Sequence, residues 1–303
     1  MKNAFGSQVD IKEIKSMDDG WFNAVYMIKT NDMEIILKIA PPESIKTLRY
    51  ERNVMNAEVD TIKLINSFAN IPIPKVLFYD NTKRFLDSEY FFMTKIAGTP
   101  YLKIKDTLSQ SERMAIEIEI GETERKLNNI KGASFGYVSR DAKKSKKWSE
   151  AFWNMFFDIL HDGKDNEVKL PAEYNAISEL VSTRLCVFDE VTEPRLVHWD
   201  LYDGNIMIEN GKISGIIDFE KSLWGDPLMN VYFSNLYDNT NYCKGYRNDT
   251  PGSWESKCRR IIYNIYMYLV MMMECKYRKY NNDGHEQWIY KSLEKELEVL
   301  KDL

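Results

Sequence analysis

The sequence predicts an α+β protein in which a small antiparallel sheet with one helix precedes a mostly helical region. Three observations support this fold class. Residues 24–39 alternate between apolar and polar side chains in the manner of a strand hairpin. After Gly98, three long segments carry the apolar spacing of amphipathic helices. One further hairpin pattern, centred on Asn210 and Gly211, lies within the helical region.

The strand patterns are concentrated in the first hundred residues. The hairpin of residues 24–39 ends at two consecutive prolines, which lack the backbone N–H that a sheet requires. Residues 45–65 show apolar side chains near the 3.6-residue period of a helix. Residues 71–80 and 88–98 then predict two more strands. Together these elements predict an N-terminal lobe over residues 1–97.

The remaining chain, residues 98–303, is predicted to form a C-terminal lobe that is mostly helical. Helical apolar spacing is present over residues 108–130, 146–163 and 172–191. Residues 206–217 instead alternate around an Asn-Gly pair, which is the strongest short-range signal for a two-residue hairpin turn. We therefore expect one small hairpin inside the helical lobe.

The composition excludes several classes of protein. Hydrophobic residues make up 44% and charged residues 29% of the chain, as is typical of a folded globular protein. The formal net charge is −5 and the basic residues are dispersed, so no nucleic-acid partner is expected. The N-terminus lacks a secretory apolar core and the longest apolar run, residues 261–275, is too short for a membrane span, which predicts a cytoplasmic protein. The four cysteines form no CxxC pair and are expected to be buried thiols.

The most informative segment contains His198, Asp200, Asn205 and Asp218 in that order. In protein kinases the corresponding set is a catalytic-loop aspartate and asparagine followed by a metal-binding aspartate. With the Asn-Gly pair as the hairpin turn, counting outward sets Asn205 opposite Ile216 and close to Asp218. The hairpin therefore brings two oxygen ligands together at its open end.

These residue types suit phosphoryl transfer. An amide oxygen and a carboxylate are hard donors for Mg²⁺, which keeps its other positions for water and nucleotide phosphates. Asp200 lies just upstream on the same loop, where its carboxylate would accept the proton of a substrate hydroxyl. Each polar residue alone would be an ordinary loop residue. Their joint occurrence with the hairpin favours a catalytic site.

The segments HWDLYDGN, IIDFE and LWGDP resemble the aminoglycoside phosphotransferase and choline kinase superfamily. The resemblance implies a protein-kinase-like bilobal fold, with Asp200 as base and with Asn205 and Asp218 as Mg²⁺ ligands. It also implies that Asp226 of the Gly-Asp-Pro motif is a structural residue and that His198 braces the catalytic loop. The chain departs from the family at Trp199, where glycine is frequent, and at Asn230, where an acidic residue is frequent.

The N-terminal lobe is expected to hold the nucleotide. Lys38 interrupts an apolar strand, where a charge is costly unless it is paired or used. The resemblance implies that Lys38 holds the α and β phosphates and pairs with a helix glutamate. Glu58 is the first candidate partner, and Glu51 is its competitor because seven residues place both on nearly the same helix face. Asn23 is a candidate phosphate ligand or a turn residue.

The connections of this lobe carry weaker signals. The loop expected to cover the phosphates contains one glycine, Gly20, and therefore no GxGxxG pattern. The segment FFMTKIAG resembles the connection between lobes, where Thr94 would offer its carbonyl and Ile96 its amide to adenine. The co-substrate is therefore expected to be ATP or GTP.

A small-molecule hydroxyl is the expected acceptor, because the short span from Asp218 to Asp226 leaves no room for an activation segment. Metabolite kinases of choline, homoserine or a methylthio-sugar share the same motifs and remain alternatives. A nucleotide-binding pseudokinase is a further alternative, although Lys38, Asp200, Asn205 and Asp218 are all present.

The acceptor site is expected on helices of the second lobe. Its candidate residues include Trp148, Trp153, Asp158 and Asp162. The two carboxylates lie one helical turn apart, so they form either a solvated helix face or part of an acidic cleft. The resemblance to aminoglycoside kinases implies a cationic acceptor, an amino sugar or a related amine, and the acidic-cleft alternative and the overall acidic balance agree with it.

Overall fold

A five-stranded antiparallel sheet with flanking helices forms the N-terminal part of the fold. The structure is a computed structural model that describes residues 1–6, 8–17, 22–139, 142–238, 240–247, 252–278 and 283–303. The elements are α1 (Lys2–Phe5), β1 (Ile11–Ser16), β2 (Ala24–Thr30), β3 (Glu34–Ile39), α2 (Val54–Phe68), β4 (Val76–Asp80) and β5 (Tyr90–Thr94). The strand order is β1-β2-β3-β5-β4. This arrangement confirms the predicted sheet and its hairpin of residues 24–39.

The helix of this part begins later than the sequence predicts. Apolar spacing predicts a helix over residues 45–65, whereas α2 spans Val54–Phe68 and is preceded by a 3-10 turn at Arg49–Glu51. Asn53 has φ of 57°, a left-handed conformation that a helix cannot contain, so the helix starts immediately after it. Periodicity alone does not detect such a break.

The C-terminal part is mostly helical, as predicted. Its longer helices are α4 (Gln110–Leu127), α5 (Trp148–Asp165), α6 (Tyr174–Ser182), α7 (Thr240–Tyr246), α8 (Trp254–Tyr277) and α9 (Asp283–Lys301), and a short α3 (Tyr101–Ile104) precedes them. The strands are β6 (Thr99–Pro100), β7 (Gly136–Tyr137), β8 (Arg195–Val197), β9 (Ile206–Glu209), β10 (Lys212–Ile216) and β11 (Leu223–Gly225). The predicted helix over 172–191 is divided, because its second half forms the 3-10 segment Leu185–Glu190.

Two small sheets order the functional loops. Strand β9 pairs with β10 and β6, while β11 pairs with β7 and β8. The second of these sheets was not predicted, because strands of two or three residues are too short to show a period. It holds β8, which leads into the segment from His198 to Asn205, and β11, which precedes Asp226.

One apolar cluster joins the two parts of the chain. Val59 of α2 and Phe91 of β5 belong to the same buried cluster as Leu201, Ile206 and Phe219. The core therefore continues beneath the segment that carries the candidate catalytic residues. The lobe boundary between residues 97 and 98 stays a prediction.

Among the described residues, no helix is both long enough and apolar enough to cross a membrane. The cysteine prediction is wrong in part. Cys258 and Cys275 are buried thiols, but Cys243 is half-buried and Cys186 is exposed on the Leu185–Glu190 turn. Cys186 is exposed because the helix expected to bury this segment ends at Ser182.

Candidate active site

The hairpin of β9 and β10 positions the metal-ligand candidates. Glu209 pairs with Lys212 at the turn, but a bulge between Ile213 and Gly215 shifts the register by one residue. The predicted pairing of Asn205 with Ile216 is therefore wrong, and the Ile217 N–H donates to the Asn205 carbonyl at 3.1 Å. The prediction assumed a regular ladder of paired residues. The bulge inserts one extra residue into β10 and shifts the pairing that follows. Asn205 consequently lies beside the residue that immediately precedes Asp218.

His198 braces the catalytic loop through both ring nitrogens. The Asp200 N–H donates to Nδ1 at 3.3 Å, and Nε2 lies 3.0 Å from the Ile217 carbonyl, so Nε2 carries the proton and donates. Burial lowers the pKa of His198 to about 4, which keeps the ring neutral. The imidazole also packs against Phe219, with ring centroids 4.5 Å apart. These contacts connect the loop to the segment that follows β10 and contains Asp218.

Trp199 occupies a backbone position that favours glycine. Its φ is 61°, in the left-handed region, which explains why glycine suits this position in the resembling family. The indole is 5% exposed, stacks on Tyr266 at 5.3 Å and meets Tyr137 edge-on at 5.9 Å. Aromatic packing of this kind offsets part of the backbone strain. The tryptophan thus forms a rigid wall beside Asp200.

Asp200 faces the main cleft of the molecule. Burial raises the pKa of its carboxyl to about 6, although the neighbouring Lys221 lowers it. Lys221 Nζ lies 3.4 Å from Asp200 Oδ2. Asn205 Nδ2 donates to the Asp200 carbonyl at 2.9 Å, which fixes the loop and leaves the amide oxygen of Asn205 available as a metal ligand.

Lys221 and Glu274 are site residues that the sequence analysis missed. Lys221 Nζ is 2.9 Å from Glu274 Oε1, and Glu274 also accepts a hydrogen bond from the Tyr50 hydroxyl. Arg278 lies 3.3 Å from the same carboxylate oxygen. The glutamate interrupts the apolar run of α8 and is 7% exposed, so its position in that run was the available signal.

Lys38 is held between two carboxylates at the centre of the site. Its Nζ is 2.8 and 2.9 Å from the oxygens of Glu58 and 2.6 Å from Asp218 Oδ1. Burial alone would lower the pKa of Lys38, but Asp218 and Glu58 outweigh it and hold the pKa above its usual value. Glu51 instead binds Arg278 at 2.5 Å and the Leu48 N–H at 2.8 Å. Of the two candidate partners, Glu58 is therefore the one that contacts Lys38.

Three carboxylates converge where a cation would be needed. Oxygens of Glu58, Asp218 and Glu220 all lie within 4.8 Å of one another. Such hard oxygen donors, with the amide oxygen of Asn205 nearby in the cleft, fit the chemistry of Mg²⁺. Burial raises the pKa of Glu220 to about 8, and the adjacent Asp218 adds to this effect while Lys38 opposes it. The sequence analysis did not select Glu220.

Of the remaining nucleotide candidates Asn23, Thr94 and Ile96, the last two are not among the described residues that line the cleft. Asn23 lines the cleft, and its Nδ2 donates to Glu220 Oε2 at 2.7 Å, so it contacts a candidate metal ligand. Thr94 ends β5, with its hydroxyl accepting from the Lys75 N–H at 2.9 Å. Ile96 follows in the connection between the two parts and packs close to Gly215. Gly20 lies outside the described residues.

The acidic pair predicted for the acceptor site lies elsewhere. The main cleft has a volume of about 580 Å³, and Asp158 and Asp162 are not among its described lining residues. They line a second cavity of about 480 Å³, where Asp162 binds Arg49 and Asp158 lies 3.3 Å from Lys143. Helix α5 turns its acidic edge away from the cleft because its apolar edge packs into the core.

The two tryptophan candidates are core residues. Trp148 is 1% exposed and donates from Nε1 to the Tyr263 hydroxyl at 2.7 Å. Trp153 is partly buried and stacks on Phe156, with centroids 6.0 Å apart. Neither is among the described residues that line the main cleft. Both residues lie on α5 and pack with the core, as most aromatic side chains do, so no contact with the cleft supports them as acceptor ligands.

Comparison with known protein families matches residues 13–238 to the phosphotransferase enzyme family. This span covers the sheet, the catalytic hairpin and the Gly-Asp-Pro motif. The chain belongs to the phosphotransferase enzyme family. The resemblance drawn from HWDLYDGN, IIDFE and LWGDP is thereby confirmed.

Solved structures of this phosphotransferase type share the fold at low identity. A protein from Haemophilus somnus 129PT, provisionally assigned as a fructosamine-3-kinase, is 18% identical, with a TM-score of 0.72 over 98% of this chain and 95% of that one. An aminoglycoside phosphotransferase solved with AMP-PNP and hygromycin B is 14% identical, with a TM-score of 0.70 over 98% and 96%. A third phosphotransferase, solved as a ternary complex with streptomycin and ATP, is 17% identical to this chain. Its TM-score is 0.63 over 97% of this chain and 92% of that one. The predicted kinase-like fold is confirmed.

Curated relatives match a smaller part of the phosphotransferase chain. Two subtelomeric hrmA-associated cluster proteins from strains of Aspergillus fumigatus are each 26% identical, over 138 and 133 residues. The aligned segments make up 45% and 43% of this chain. They make up 26% and 25% of the relatives, so the chain matches about a quarter of their length.

Asp226 of the phosphotransferase Gly-Asp-Pro segment is bound on all sides by protein groups. Its Oδ2 accepts from Arg259 Nε at 3.0 Å and from the Tyr263 hydroxyl at 2.8 Å. Its Oδ1 accepts from the Leu228 N–H at 3.1 Å and caps the turn that follows. Asp226 links β11 to α8 and is not among the described lining residues of the cleft. These contacts support a structural role.

We expect Asp226→Asn to destabilise the fold without acting on the chemistry directly. The substitution removes one of the two carboxylates that contact the buried Arg259, the other being Glu190, and the loss of this charge-assisted contact costs about 2 kcal/mol in free energy of unfolding. Denaturant unfolding measures the loss. Glu193→Gln, which removes an exposed contact to Arg195 and Lys131, is the matched control and should leave stability unchanged. An Asp226 variant with native stability would contradict the structural assignment.

Glu58→Gln is expected to weaken nucleotide binding because Lys38 loses the charged partner that fixes its ammonium group. Charge-assisted hydrogen bonds contribute ~1.5–3 kcal/mol, so the KM for nucleotide should rise on the order of tenfold or more. Steady-state kinetics with varied nucleotide measures this effect. Glu34→Gln removes the exposed contact to Lys95 from the adjacent strand and is the control. Equal KM values for the two variants would argue against the Lys38–Glu58 assignment.

Proposed function

We propose that this phosphotransferase moves the γ-phosphoryl group of ATP or GTP to a hydroxyl group of a small molecule. The observation that carries the proposal is that Lys38 contacts both Glu58 and Asp218, and that Lys38, Asp218 and Asp200 line the same cleft. Lys38 is a phosphate anchor in this arrangement. Glu58 holds its ammonium group, and Asn205, Asp218 and Glu220 supply the oxygen ligands for a magnesium ion.

The proposed step is an in-line displacement. Asp200 accepts the proton of the acceptor hydroxyl as its oxygen bonds to the γ-phosphorus, and the bond from that phosphorus to the β–γ bridging oxygen breaks. The products are a phosphomonoester and a nucleoside diphosphate. A bound magnesium ion would neutralise charge on the β and γ phosphates. Lys221 keeps the Asp200 carboxylate oriented, and His198 fixes the backbone that carries it.

The chemical class of the acceptor is a more specific proposal than the phosphoryl transfer itself. The sequence predicts an amine-bearing acceptor, and neighbouring folds include complexes with streptomycin and hygromycin B. Asp158 and Asp162 no longer support this class, since they line the second cavity. Metabolite kinases would use the same catalytic residues. The cytoplasmic location stays a prediction.

An acceptor panel with nucleotide consumption as readout tests the proposal. Purified protein is incubated with Mg²⁺ and ATP or GTP, and nucleoside diphosphate release is measured with and without hydroxylated acceptors. Release that depends on both the metal and an acceptor supports a kinase. Tight nucleotide binding with no transfer to any acceptor would instead support a pseudokinase.

A further inference from the structure

Residues of α8 line the same cleft as the candidate catalytic residues. Met267, Val270, Met271, Glu274 and Arg278 all line the cleft, at the helical spacing of three or four residues. The first three are apolar and lie at the outer half of this stripe. Met side chains adapt readily to apolar ligands of irregular shape.

The facing wall is also apolar beside the catalytic loop. Val231, Leu236 and Tyr237 line the cleft from the segment that follows the Gly-Asp-Pro motif, and Leu102 lines it from α3. Tyr237 packs on Tyr232, with centroids 4.4 Å apart, which fixes its ring. The acceptor half of the cleft is therefore enclosed by aliphatic and aromatic side chains on two sides.

Charges at the base of this space are already paired. The four described carboxylates that line the cleft each contact a protein group: Asp200 and Glu274 contact Lys221, Asp218 contacts Lys38, and Glu220 contacts Asn23. Arg278 adds a second cation beside Glu274. An ammonium group entering this space would meet three protein cations, Lys38, Lys221 and Arg278, and one described carboxylate, Glu220, whose hydrogen-bond partner is neutral. Burying a charge without a partner is costly.

We infer that the acceptor is a neutral alcohol with an apolar body, of the alkyl or aryl class, and not a polyamine. The inference rests on the proposed function and refines its acceptor. The hydroxyl would approach Asp200 while the apolar body packs between the α8 stripe and Leu236. Removal of apolar surface from water supplies the binding energy, at about 25 cal/mol per Å².

The test compares matched acceptors on the native enzyme. In the first pair, 1-heptanol and 6-amino-1-hexanol differ only in a terminal methyl or ammonium group. The second comparison uses 3-phenyl-1-propanol as an aryl alcohol and kanamycin as a polyamine reference. Phosphorylated products are measured by mass spectrometry with Mg²⁺ and ATP. We expect kcat/KM for each neutral alcohol to exceed that of its cationic counterpart by about tenfold or more. Equal or better turnover of the amines would overturn the inference.

A second experiment introduces a negative charge among the apolar residues that line the cleft. Met271→Asp supplies an unpaired carboxylate and should reverse the preference within the heptanol and aminohexanol pair. Met114→Asp on α4, at an exposed position outside the cleft lining, is the matched control and should keep the native preference. Leu236→Asp repeats the test from the opposite wall if Met271→Asp unfolds early in thermal melts. An unchanged preference in a folded wall variant contradicts the inference.

The two proposals fail in different ways. If the enzyme phosphorylates only amines, the inference of an apolar acceptor is wrong, but the proposed kinase function is supported. Native protein that binds nucleotide but phosphorylates neither class refutes the kinase, and the acceptor inference falls with it.

Discussion

Asp200→Asn is expected to lower kcat on an accepted substrate by on the order of 10³-fold, within the range that positioned acid–base groups contribute. Asparagine retains the shape of the side chain but does not accept the proton of the acceptor hydroxyl. Lys38, Asp218 and Asn205 are unaltered, so the affinity for nucleotide should barely change. Rapid-quench measurements of phosphoryl transfer and titration calorimetry with nucleotide separate these two effects.

The control for this variant is Asp158→Asn, which removes the same charge from the second cavity. It should leave both turnover and nucleotide affinity at native values. Asp200→Asn with near-native turnover would show that the base lies elsewhere. A loss of nucleotide affinity equal to the loss of turnover would show a structural role.

Asp218→Ala is expected to abolish magnesium-dependent nucleotide binding. The substitution removes the carboxylate that contacts Lys38 and leaves Glu220 as the one charged ligand of the proposed set, beside the neutral amide of Asn205. Thermal stabilisation by nucleotide with Mg²⁺ should disappear, since a ligand stabilises only the state that binds it. Thermal melts with nucleotide, with and without the metal, measure this.

Asp189→Ala is the control, because this aspartate is exposed on the Leu185–Glu190 turn and is not among the described residues that line the cleft. It should keep the native response to metal and nucleotide. A native protein whose nucleotide-induced shift is the same with and without Mg²⁺ would contradict the metal-site assignment before any variant is made.

The fold was predictable where local signals are strong. The Asn210-Gly211 pair forces a tight turn with positive φ at both residues, so the hairpin at the site followed from two residues. Lys38 within an apolar strand required a partner, and the family resemblance indicated a helix glutamate, either Glu58 or Glu51. Asp200, Asn205 and Asp218 were brought into one cleft because the hairpin and its flanking loop are short. Their roles stay predictions.

The parts of the fold and the site that were not predicted depend on tertiary contacts, which sequence spacing does not encode. The bulge between Ile213 and Gly215 displaced the expected pairing by one residue. Lys221 and Glu274 are 53 positions apart and meet only when α8 packs against the catalytic segment. Asp158 and Asp162 face the second cavity because the rotation of α5 follows from packing of its apolar edge. Helical periodicity identifies a face, but tertiary packing decides what that face meets.

The central claim is that this chain transfers phosphate to an organic hydroxyl with Asp200 as base. Its most direct test follows the label from [γ-³²P]ATP in the presence of Mg²⁺ and an acceptor from the panel, for native protein and Asp200→Asn side by side. The account predicts label in an organic phosphomonoester with the native protein and almost none with the variant at equal nucleotide occupancy. Label that remains in nucleotide or appears only as inorganic phosphate with every acceptor would contradict the account.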